Sequence, residues 1–325
     1  MFICGKTDLT ADLVLLELKK REKAIPVLRF NVDDYPSNVN LSASYFKKTN
    51  TWGLNYAEVN FKDKLLDKIK SVYCRPFNDP VPSNQIKNRI HKKLIIEQSA
   101  IFINWLPDIL DCFWLNNPRA MERARSKALQ LKIAAKVGFL TPDSLITNNP
   151  DEALFFYRKN EGKIAAKLLQ ATPASRQLSG FIYTKKLTEK DLRYFDQIEY
   201  SPVLLQEYVD KKYEIRATVV GNKVFSARID SQVKDMTKAD WRCYEFGDPP
   251  PHKAIELPLS INQKLIKMNK ELNLEFGAYD LIYTPKKTYV FLEVNANGQW
   301  GWIQELTKLP ISTAIADLLI KNLYV

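Results

Sequence analysis

Residues that cross-link small folds or bind zinc are scarce in this chain. Only four cysteines and two histidines occur among 325 residues, and no two cysteines have the C-x-x-C spacing of a zinc site. Cysteines that stand alone in apolar runs are typical of small buried hydrophobes in a reducing cytosol. The sequence therefore argues against a zinc centre and favours a fold that burial alone can stabilise.

Long apolar stretches are missing as well. The longest, residues 100–115, is interrupted by Asn104, Pro107, Asp108 and Asp111, whereas a membrane-spanning helix needs about 20 mostly apolar residues. The first residues also lack the basic start and apolar block of a signal peptide. We therefore expect a cytoplasmic protein with no membrane partner.

The net charge of +11 is distributed unevenly. Residues 118–200 carry 15 basic and 9 acidic side chains, so more than half of the excess lies in this middle segment. Such a surplus favours an anionic partner, which can be nucleotide phosphates, an acidic peptide or nucleic acid. A basic nucleic-acid-binding protein stays an alternative, although no dense basic run interleaved with aromatics and no standard nucleic-acid motif occurs.

The length suggests two or three domains, at about 100–200 residues each. The first third alternates strand-like and helix-like segments, and it includes a helix that Thr7 or Asp8 can cap and on whose apolar face Leu9, Leu13 and Leu16 fall. Residues 116–118 predict a helix that begins at a proline and runs to about residue 137. The chain becomes strand-rich after residue 202. We predict domains at residues 1–117, 118–200 and 201–325.

A hairpin near the C-terminus gives the sharpest chemical signal. Strands are predicted at residues 276–283 and 288–295, and symmetry about Lys286-Lys287 sets Asp280 opposite Glu293. Asn295 projects to the same face as Glu293, two residues further on. Two facing carboxylates beside an amide oxygen suit Mg²⁺, although an exposed strand face with scattered acids is the alternative.

Further candidate residues lie on predicted strands and helices upstream. Lys167 stands inside an apolar strand, where a lysine needs a partner or a cleft. Glu214 and Arg216 share one face of another strand, which a two-residue turn at Gly221 and Asn222 joins to the next. Lys127, Arg228 and Arg242 are additional cations, and the apolar strand that begins near Leu204 ends in a polar run. None of these signals is decisive alone.

Taken in order, these features resemble the ATP-grasp layout of two lysines, an apolar strand ending in Gln-Glu-Tyr-Val, Glu-x-Arg, and then Asp and Glu-x-Asn on late strands. Five segments are more specifically similar to the microviridin-type, or graspetide, peptide ligases, and the resemblance covers nearly the whole chain. They are residues 113–118 (FWLNNP), 126–131 (SKALQL), 228–232 (RIDSQ), 240–242 (DWR) and 292–300 (LEVNANGQW).

The resemblance implies an α/β protein with an ATP-grasp fold, in which two α+β lobes clasp ATP after an N-terminal pre-ATP-grasp domain. It also implies a nucleotide site: Lys127 and Lys167 contact phosphates, and Glu214 lies near the ribose. The residues that it sets beside adenine are Gln206, Glu207, Tyr208 and Val209.

The same resemblance implies that Asp280, Glu293 and Asn295 hold Mg²⁺. The arginines that it implies for orienting the phosphoryl group and the substrate carboxylate are Arg216, Arg228 and Arg242. Two positions depart from the family pattern. Ala296 stands where the family often has proline, and the phosphate-covering loop between Lys167 and Gly180 contains a single glycine.

The implied function is an ATP-dependent macrocyclase. It activates Asp or Glu side chains of a precursor peptide, which has a leader and an acidic core, and joins them to Thr or Ser hydroxyls or Lys amines. A homodimer is also implied. The alternatives are an ATP-grasp ligase that adds a free amino acid to a peptide or protein, and a degenerate ATP-grasp scaffold without activity.

Overall fold

The structure is a computed structural model that describes residues 1–21, 25–58, 64–65, 69–75, 78–170, 183–245 and 247–323. The phosphate-covering loop predicted between Lys167 and Gly180 lies largely outside these residues. Within the described ranges, no helix combines the length and the apolar character needed to cross a membrane.

The first layer is a four-stranded parallel sheet built from β1 (Phe2–Cys4), β2 (Arg29–Asn31), β6 (Ser71–Cys74) and β7 (Phe113–Leu115). Their order across the sheet is β2-β1-β6-β7. Helices α1 (Leu9–Lys19) and α2 (Arg89–Ile109) belong to the same region. A small antiparallel sheet follows β2 in the chain and consists of β3 (Val39–Phe46), β4 (Thr51–Glu58) and β5 (Lys64–Leu65).

Helix α1 begins as the sequence predicted and packs differently. The Asp8 carboxylate accepts hydrogen bonds from two backbone N–H groups of the first turn, so Asp8 is the N-cap. The predicted apolar face is wrong, because α1 buries Ala11, Val14 and Leu18 and leaves Leu9 exposed. The buried side packs on the C-terminal helix, and small residues such as alanine allow two helices to approach closely.

The helix predicted over residues 118–137 is two helices, α3 (Pro118–Ala124) and α4 (Lys127–Lys136). The break occurs at Ser126, whose hydroxyl accepts a hydrogen bond from Leu129 N at 3.3 Å and caps α4. Gly138, at φ +87°, ends the second helix, as its sequence position predicted. Because of this break, Lys127 is the first residue of a helix, whereas the sequence predicted that it lies in a helix interior.

The middle of the chain forms a four-stranded sheet of order β10-β9-β11-β8. Its strands are β8 (Ser144–Thr147), β9 (Ile164–Lys167), β10 (Lys185–Lys186) and β11 (Val203–Glu207). Helix α5 (Pro150–Lys159) and the 3-10 segment Glu189–Tyr200 accompany it. Their small core contains Ala153, Phe156, Ile164 and Leu205.

The last sheet has five antiparallel strands in the order β14-β13-β12-β15-β16. They are β12 (Tyr213–Val220), β13 (Lys223–Ile229), β14 (His252–Ile255), β15 (Phe276–Tyr283) and β16 (Tyr289–Asn295). The helices of this region are α6 (Leu259–Glu271), α7 (Gly301–Thr307) and α8 (Ile311–Lys321). The predicted two-residue turn between β12 and β13 is present, since Val220 pairs with Lys223.

Candidate active site

The two carboxylates predicted to face each other do so. Asp280 on β15 pairs with Glu293 on β16, whereas Leu281, one residue nearer the turn, pairs with Phe291. Leu292 is therefore an extra residue in β16, a β-bulge that shifts the register by one. The pairing predicted from symmetry about Lys286-Lys287 is therefore wrong between the turn and the bulge. It is confirmed beyond the bulge, where Asp280 pairs with Glu293. Such a bulge can re-aim a side chain, and here it brings Glu293 opposite Asp280.

Glu293 is paired with the lysine that begins helix α4. The ammonium of Lys127 donates a hydrogen bond to Glu293 Oε2. This ion pair, helped by the charge of Lys167, holds the pKa of Glu293 well below its ordinary value even though burial opposes it. The carboxylate is therefore ionised at neutral pH and available as an oxygen donor.

A buried amide sets the position of α4 against this strand. Gln130, one turn after Lys127, donates to the Val294 carbonyl at 2.9 Å and accepts from Val294 N at 3.1 Å. Its Nε2 also donates to the Ala124 carbonyl at 2.7 Å. The Gln130 side chain thus makes the two hydrogen bonds with Val294 that a neighbouring strand would otherwise make. It thereby fixes Lys127 beside Glu293.

Asp280 is held by Arg216. Nη1 of Arg216 donates to both carboxylate oxygens at 2.8 Å, and its side chain is 9% exposed. Burial, together with the negative charge of Glu293, raises the pKa of Asp280 above its ordinary value in spite of this arginine. A further cation in contact with these two carboxylates would relieve the repulsion between them.

Asn295 follows Glu293 on the same face of β16, as predicted. It is exposed, and its Oδ1 accepts a hydrogen bond from Asn297 N at 3.1 Å. The amide side chain therefore belongs to the tight loop that ends β16. Its side chain lies on the face of β16 that carries Glu293.

Lys167, the last residue of β9, approaches this cluster from the middle sheet. Burial lowers the pKa of its ammonium, while Glu293 opposes that shift. In the described part of the chain, Lys167 has no carboxylate within ion-pair distance. A partly buried lysine beside a cleft is suited to an anionic ligand such as phosphate.

Glu214 is paired with a lysine that the sequence had not indicated. Lys211 Nζ donates to Glu214 Oε1 at 2.8 Å and to the Ala239 carbonyl at 3.2 Å. Both side chains are almost fully buried, and burial raises the pKa of Glu214 above its ordinary value. No spacing rule identifies Lys211, because the loop before β12 has no regular period.

Tyr208, the residue that follows β11, lines a cavity of about 540 Å³. Tyr208 and Lys211 line it together with Lys186, whose ammonium lies 4.4 Å from the centre of the Tyr208 ring. Gln206 is buried and donates to Ser144 Oγ at 3.0 Å, while Glu207 accepts from the backbone N–H of Asp143 at 3.3 Å. The volume is within the range of small-molecule sites.

Val209, the last residue of that predicted run, is partly buried beside Tyr208. The backbone N–H of Tyr208 donates to the Lys163 carbonyl at 2.8 Å, so this segment continues along the edge of β9. The run thus joins the middle sheet to the strands that carry Glu214 and Arg216.

Arg242 is held by a buried carboxylate in its own motif. Its Nε and Nη2 donate to the two oxygens of Asp240, at 2.8 and 2.5 Å. Asp240 also accepts from the backbone N–H of Thr184 at 3.0 Å, which connects this loop to the middle sheet. The Arg242 side chain is 45% exposed. Its hydrogen bonds with Asp240, together with the charges of Glu293 and Asp280, raise the pKa of Arg242. It is therefore an accessible, permanent cation near the facing carboxylates.

Arg228 lies apart from the other predicted residues. It pairs with Ile215, whereas Arg216 pairs with Asp280, so side-chain alternation directs Arg228 to the opposite face of the sheet. There its guanidinium lies 4.4 Å from the Tyr213 ring centre, and Nε donates to Asp230 at 2.5 Å. The structure does not bring Arg228 together with Asp280 and Glu293, and its predicted catalytic role has no geometric support.

Comparison with solved structures shows that the fold is similar to that of ATP-grasp ligases that act on peptides. The chain is similar over 98% of its length to an ATP-grasp ligase associated with ribosomal peptide modification from Chryseobacterium gregarium, with 29% identity, a TM-score of 0.87 and 96% of that chain covered. That ligase was solved with ADP and with a leader and core peptide. The macrocyclase MdnC from Microcystis aeruginosa, solved with its precursor peptide, is 26% identical at a TM-score of 0.85, with 98% of both chains covered.

The sequence pattern of the MvdD pre-ATP-grasp domain also matches residues 5–122. The chain is therefore similar to the ATP-grasp ligases of the microviridin type. The predicted family, the predicted ATP-grasp fold with its pre-ATP-grasp domain, and the prediction of a carboxylate ligase are thereby confirmed.

Curated relatives place this ATP-grasp ligase beside enzymes of a second kind. A probable alpha-L-glutamate ligase from Mannheimia succiniciproducens is 26% identical over 219 residues, which is 64% of this chain and 68% of that protein. A probable alpha-L-glutamate ligase from an Enterobacter species is 31% identical over 210 residues. These matches leave about a third of the chain uncovered, unlike the microviridin-type structures.

The donor set of this ATP-grasp ligase fits Mg²⁺. Asp280, Glu293 and Asn295 supply only oxygen atoms, which Mg²⁺ prefers, on adjoining strand positions. Within the described ranges, no cluster of three or more histidine, cysteine, aspartate or glutamate side chains could hold a metal unaided.

Proposed function

We propose that this ATP-grasp ligase is a macrocyclase that joins Asp or Glu side chains of a ribosomal precursor peptide to Thr or Ser hydroxyls or to Lys amines. The observation that carries the proposal is the similarity over 98% of the chain to a ligase solved with ADP, leader and core peptide. The positive charge of residues 118–200 supports an acidic core as the partner. The alternative of a basic nucleic-acid-binding protein was suggested by the net charge of +11. In the proposed function, a nucleotide and an acidic peptide are the anionic partners of that charge.

The proposed reaction has two steps. A carboxylate oxygen of the peptide attacks the γ-phosphorus of ATP, the bond to the bridging oxygen breaks, and ADP leaves with that electron pair. The product is an acyl phosphate. A hydroxyl oxygen or amine nitrogen then attacks the acyl carbon, phosphate leaves, and the attacking group loses its proton. Each ring therefore removes one water from the peptide and yields one ADP and one phosphate.

Nucleotide binding is assigned to the residues around the cleft. Lys127 and Lys167 balance phosphate charge, and Glu214 binds the ribose. Gln206, Glu207, Tyr208 and Val209 border the base. The position of Lys167 near Glu293 and Lys127 and the cavity beside Tyr208 support this assignment.

The reacting groups are assigned to the last sheet. Asp280, Glu293 and Asn295 would hold Mg²⁺, which would neutralise charge that develops on the transferred phosphoryl group. Arg216 keeps Asp280 in place and presents positive charge beside it, and Arg242 orients the peptide carboxylate. Positioning and charge neutralisation carry most of such phosphoryl transfer, because the protein performs little covalent chemistry.

The domain limits at residues 117 and 200, the homodimer and the cytoplasmic location stay predictions. Light scattering of the purified protein checks the dimer, and it needs no substrate. A mass of 37.6 kDa in solution would contradict it.

The deciding experiment uses a precursor peptide encoded beside this gene. The peptide is incubated with enzyme, ATP and Mg²⁺, and its mass is followed. We expect losses of whole water molecules that match the ADP formed, and no loss with Glu293→Gln. Fragmentation then assigns each bond to an ester or an amide. ADP formation without water loss from the peptide would contradict the macrocyclase.

The glutamate-ligase relatives favour a second candidate, the addition of a free amino acid to a peptide or protein terminus. It uses the same ATP site and needs no leader. Incubation with ATP, glutamate and a peptide acceptor tests it, because the acceptor then gains the mass of a glutamyl residue. A gain instead of a loss of mass distinguishes the two functions.

A further inference from the structure

One buried arginine of the N-terminal region contacts the loop that follows the proposed magnesium strand. Arg75 comes directly after β6, and its backbone N–H donates to the Ile3 carbonyl at 2.9 Å, so it belongs to the N-terminal parallel sheet. Its side chain is only 1% exposed. Buried arginines are rare, because removing a charge from water is unfavourable unless hydrogen bonds compensate.

The hydrogen bonds of Arg75 lead in two directions. Nε donates to Asp8 at 3.2 Å, the same carboxylate that caps α1. Nη1 donates to Asn297 Oδ1 at 2.8 Å, and Nη2 donates to Gln299 Oε1 at 3.0 Å. The guanidinium therefore connects the N-terminal sheet to residues more than 220 positions away in the chain.

The loop that Arg75 holds also touches the proposed active site. Asn297 N donates to Asn295 Oδ1 at 3.1 Å, and the Gln299 carbonyl accepts from Arg216 Nη2 at 3.3 Å. Between them, Gly298 leaves no space for a side chain, because a Cβ there would lie 2.8 Å from Arg216 Nη2. The loop is thus packed directly against the arginine that binds Asp280.

We propose that Arg75 is a positioning residue of the active site: through Asn297 and Gln299 it fixes the loop that carries Asn295 and supports Arg216. A planar guanidinium has several donors in a fixed arrangement, so it orients both amide oxygens at once. The N-terminal region thereby sets the geometry of nucleotide and metal binding without touching either ligand. This inference rests on the assignment of Asp280, Glu293 and Asn295 to Mg²⁺ in the proposed function.

The test compares Arg75→Lys with a matched control. Lysine keeps the charge and loses the fixed arrangement of donors. The control is Arg21→Lys, since Arg21, just after α1, pairs with Asp317 at 2.5 Å. Among the described residues, no hydrogen bond or ion pair joins Arg21 to residues 296–300. Both variants alter a contact between the N-terminal and C-terminal parts of the chain, and urea unfolding of each measures how much stability is lost.

The first measurement is hydrogen exchange of the metal-free protein. We expect faster exchange of the backbone amides of residues 296–300 in Arg75→Lys and no change there in Arg21→Lys. The second is the Mg²⁺ concentration that half-saturates binding of a non-hydrolysable ATP analogue. It should rise about tenfold in Arg75→Lys, a typical loss when groups behind metal ligands are altered, and stay unchanged in Arg21→Lys.

Removal of the acceptors provides the decisive control. In the Asn297→Ala/Gln299→Ala background, Arg75→Lys should have little further effect on either measurement, because the route through the loop is already broken. Unchanged exchange and unchanged Mg²⁺ dependence in Arg75→Lys would overturn the proposal, and so would full additivity with the double variant. Neither readout needs a peptide, so failure here is distinct from failure of the macrocyclase proposal.

Discussion

The two faces of the last sheet use the same strands for different purposes. On one face, alternate positions carry the partly or fully buried charged side chains Glu214, Arg216, Asp280 and Glu293. On the other, the intervening positions carry the fully buried apolar side chains Ile215, Ala217, Tyr279, Leu281 and Phe291. The charged face meets the middle sheet and the N-terminal region, and the apolar face packs on α4 and α6.

This difference shows how a strand can keep unfavourable charges in place. A row of buried ions does not stabilise a sheet, because desolvation offsets most of their attraction. The apolar neighbours on the opposite face supply the stability, at about 25 cal/mol for each Å² of apolar surface that they bury. Mutations on the two faces should therefore separate catalysis from stability, although the residues adjoin in sequence.

The largest effect on activity is expected from Glu293→Gln. The change keeps the shape of the side chain and removes its charge, so the ion pair with Lys127 and the main proposed magnesium ligand are lost. Since a metal supplies several kcal/mol of transition-state stabilisation, kcat/KM for ADP formation should fall about 100-fold or more. Steady-state kinetics measure this. Activity within tenfold of the native enzyme would contradict the assigned role.

Ile215→Ala should show the opposite pattern. Ile215 lies between Glu214 and Arg216 in sequence and is 1% exposed on the apolar face. Truncation of such a side chain lowers the free energy of unfolding by about 2–5 kcal/mol. The folded fraction should keep its KM for ATP within about threefold, which corresponds to well under 1 kcal/mol. Urea unfolding and kinetics at low temperature check both parts, with Ile215→Val as the milder control.

Sequence reasoning succeeded where the structure is local. Hairpins with short turns fix their own pairing, so the opposition of Asp280 and Glu293 followed from residue spacing, although the bulge at Leu292 was not visible. Alternation also predicted that Glu214 and Arg216 share a face. The face of Arg228 depends on the register between β12 and β13, in which Arg228 pairs with Ile215 and not with Arg216.

Contacts between distant segments could not be predicted in this way. Lys211, Gln130 and Arg75 each act on residues of another element, and no short-range period announces them. Gln130 lay within a segment that resembles the family, and this was the one available signal. The break before Lys127 has a weak signal in the sequence, because a serine is compatible both with a helix interior and with the N-cap position that Ser126 occupies.

The pH dependence of nucleotide binding should distinguish Lys167 from ordinary lysines. Burial lowers its pKa, so it loses its proton at a lower pH than a free lysine does. A phosphate binds the charged form, so affinity should fall up to tenfold per pH unit above that lowered pKa. Titrations of an ATP analogue from about pH 7 to about pH 10 measure this. Lys167→Arg should bind with little pH dependence, because its guanidinium stays charged; parallel curves would contradict the assignment.

The smallest effect is expected from Arg228→Ala, which tests the separation of the two faces most directly. Arg228 is about one-third exposed, pairs with Asp230 and covers the Tyr213 ring on the face away from Asp280. Loss of an exposed ion pair and a cation–π contact lowers stability by about 1 kcal/mol. Activity should stay within about threefold, less than 1 kcal/mol of transition-state stabilisation. A fall comparable to that of Arg216→Ala, measured in parallel, would show that Arg228 reaches the reacting groups during turnover. The charged and apolar faces would then not be separate in the working enzyme.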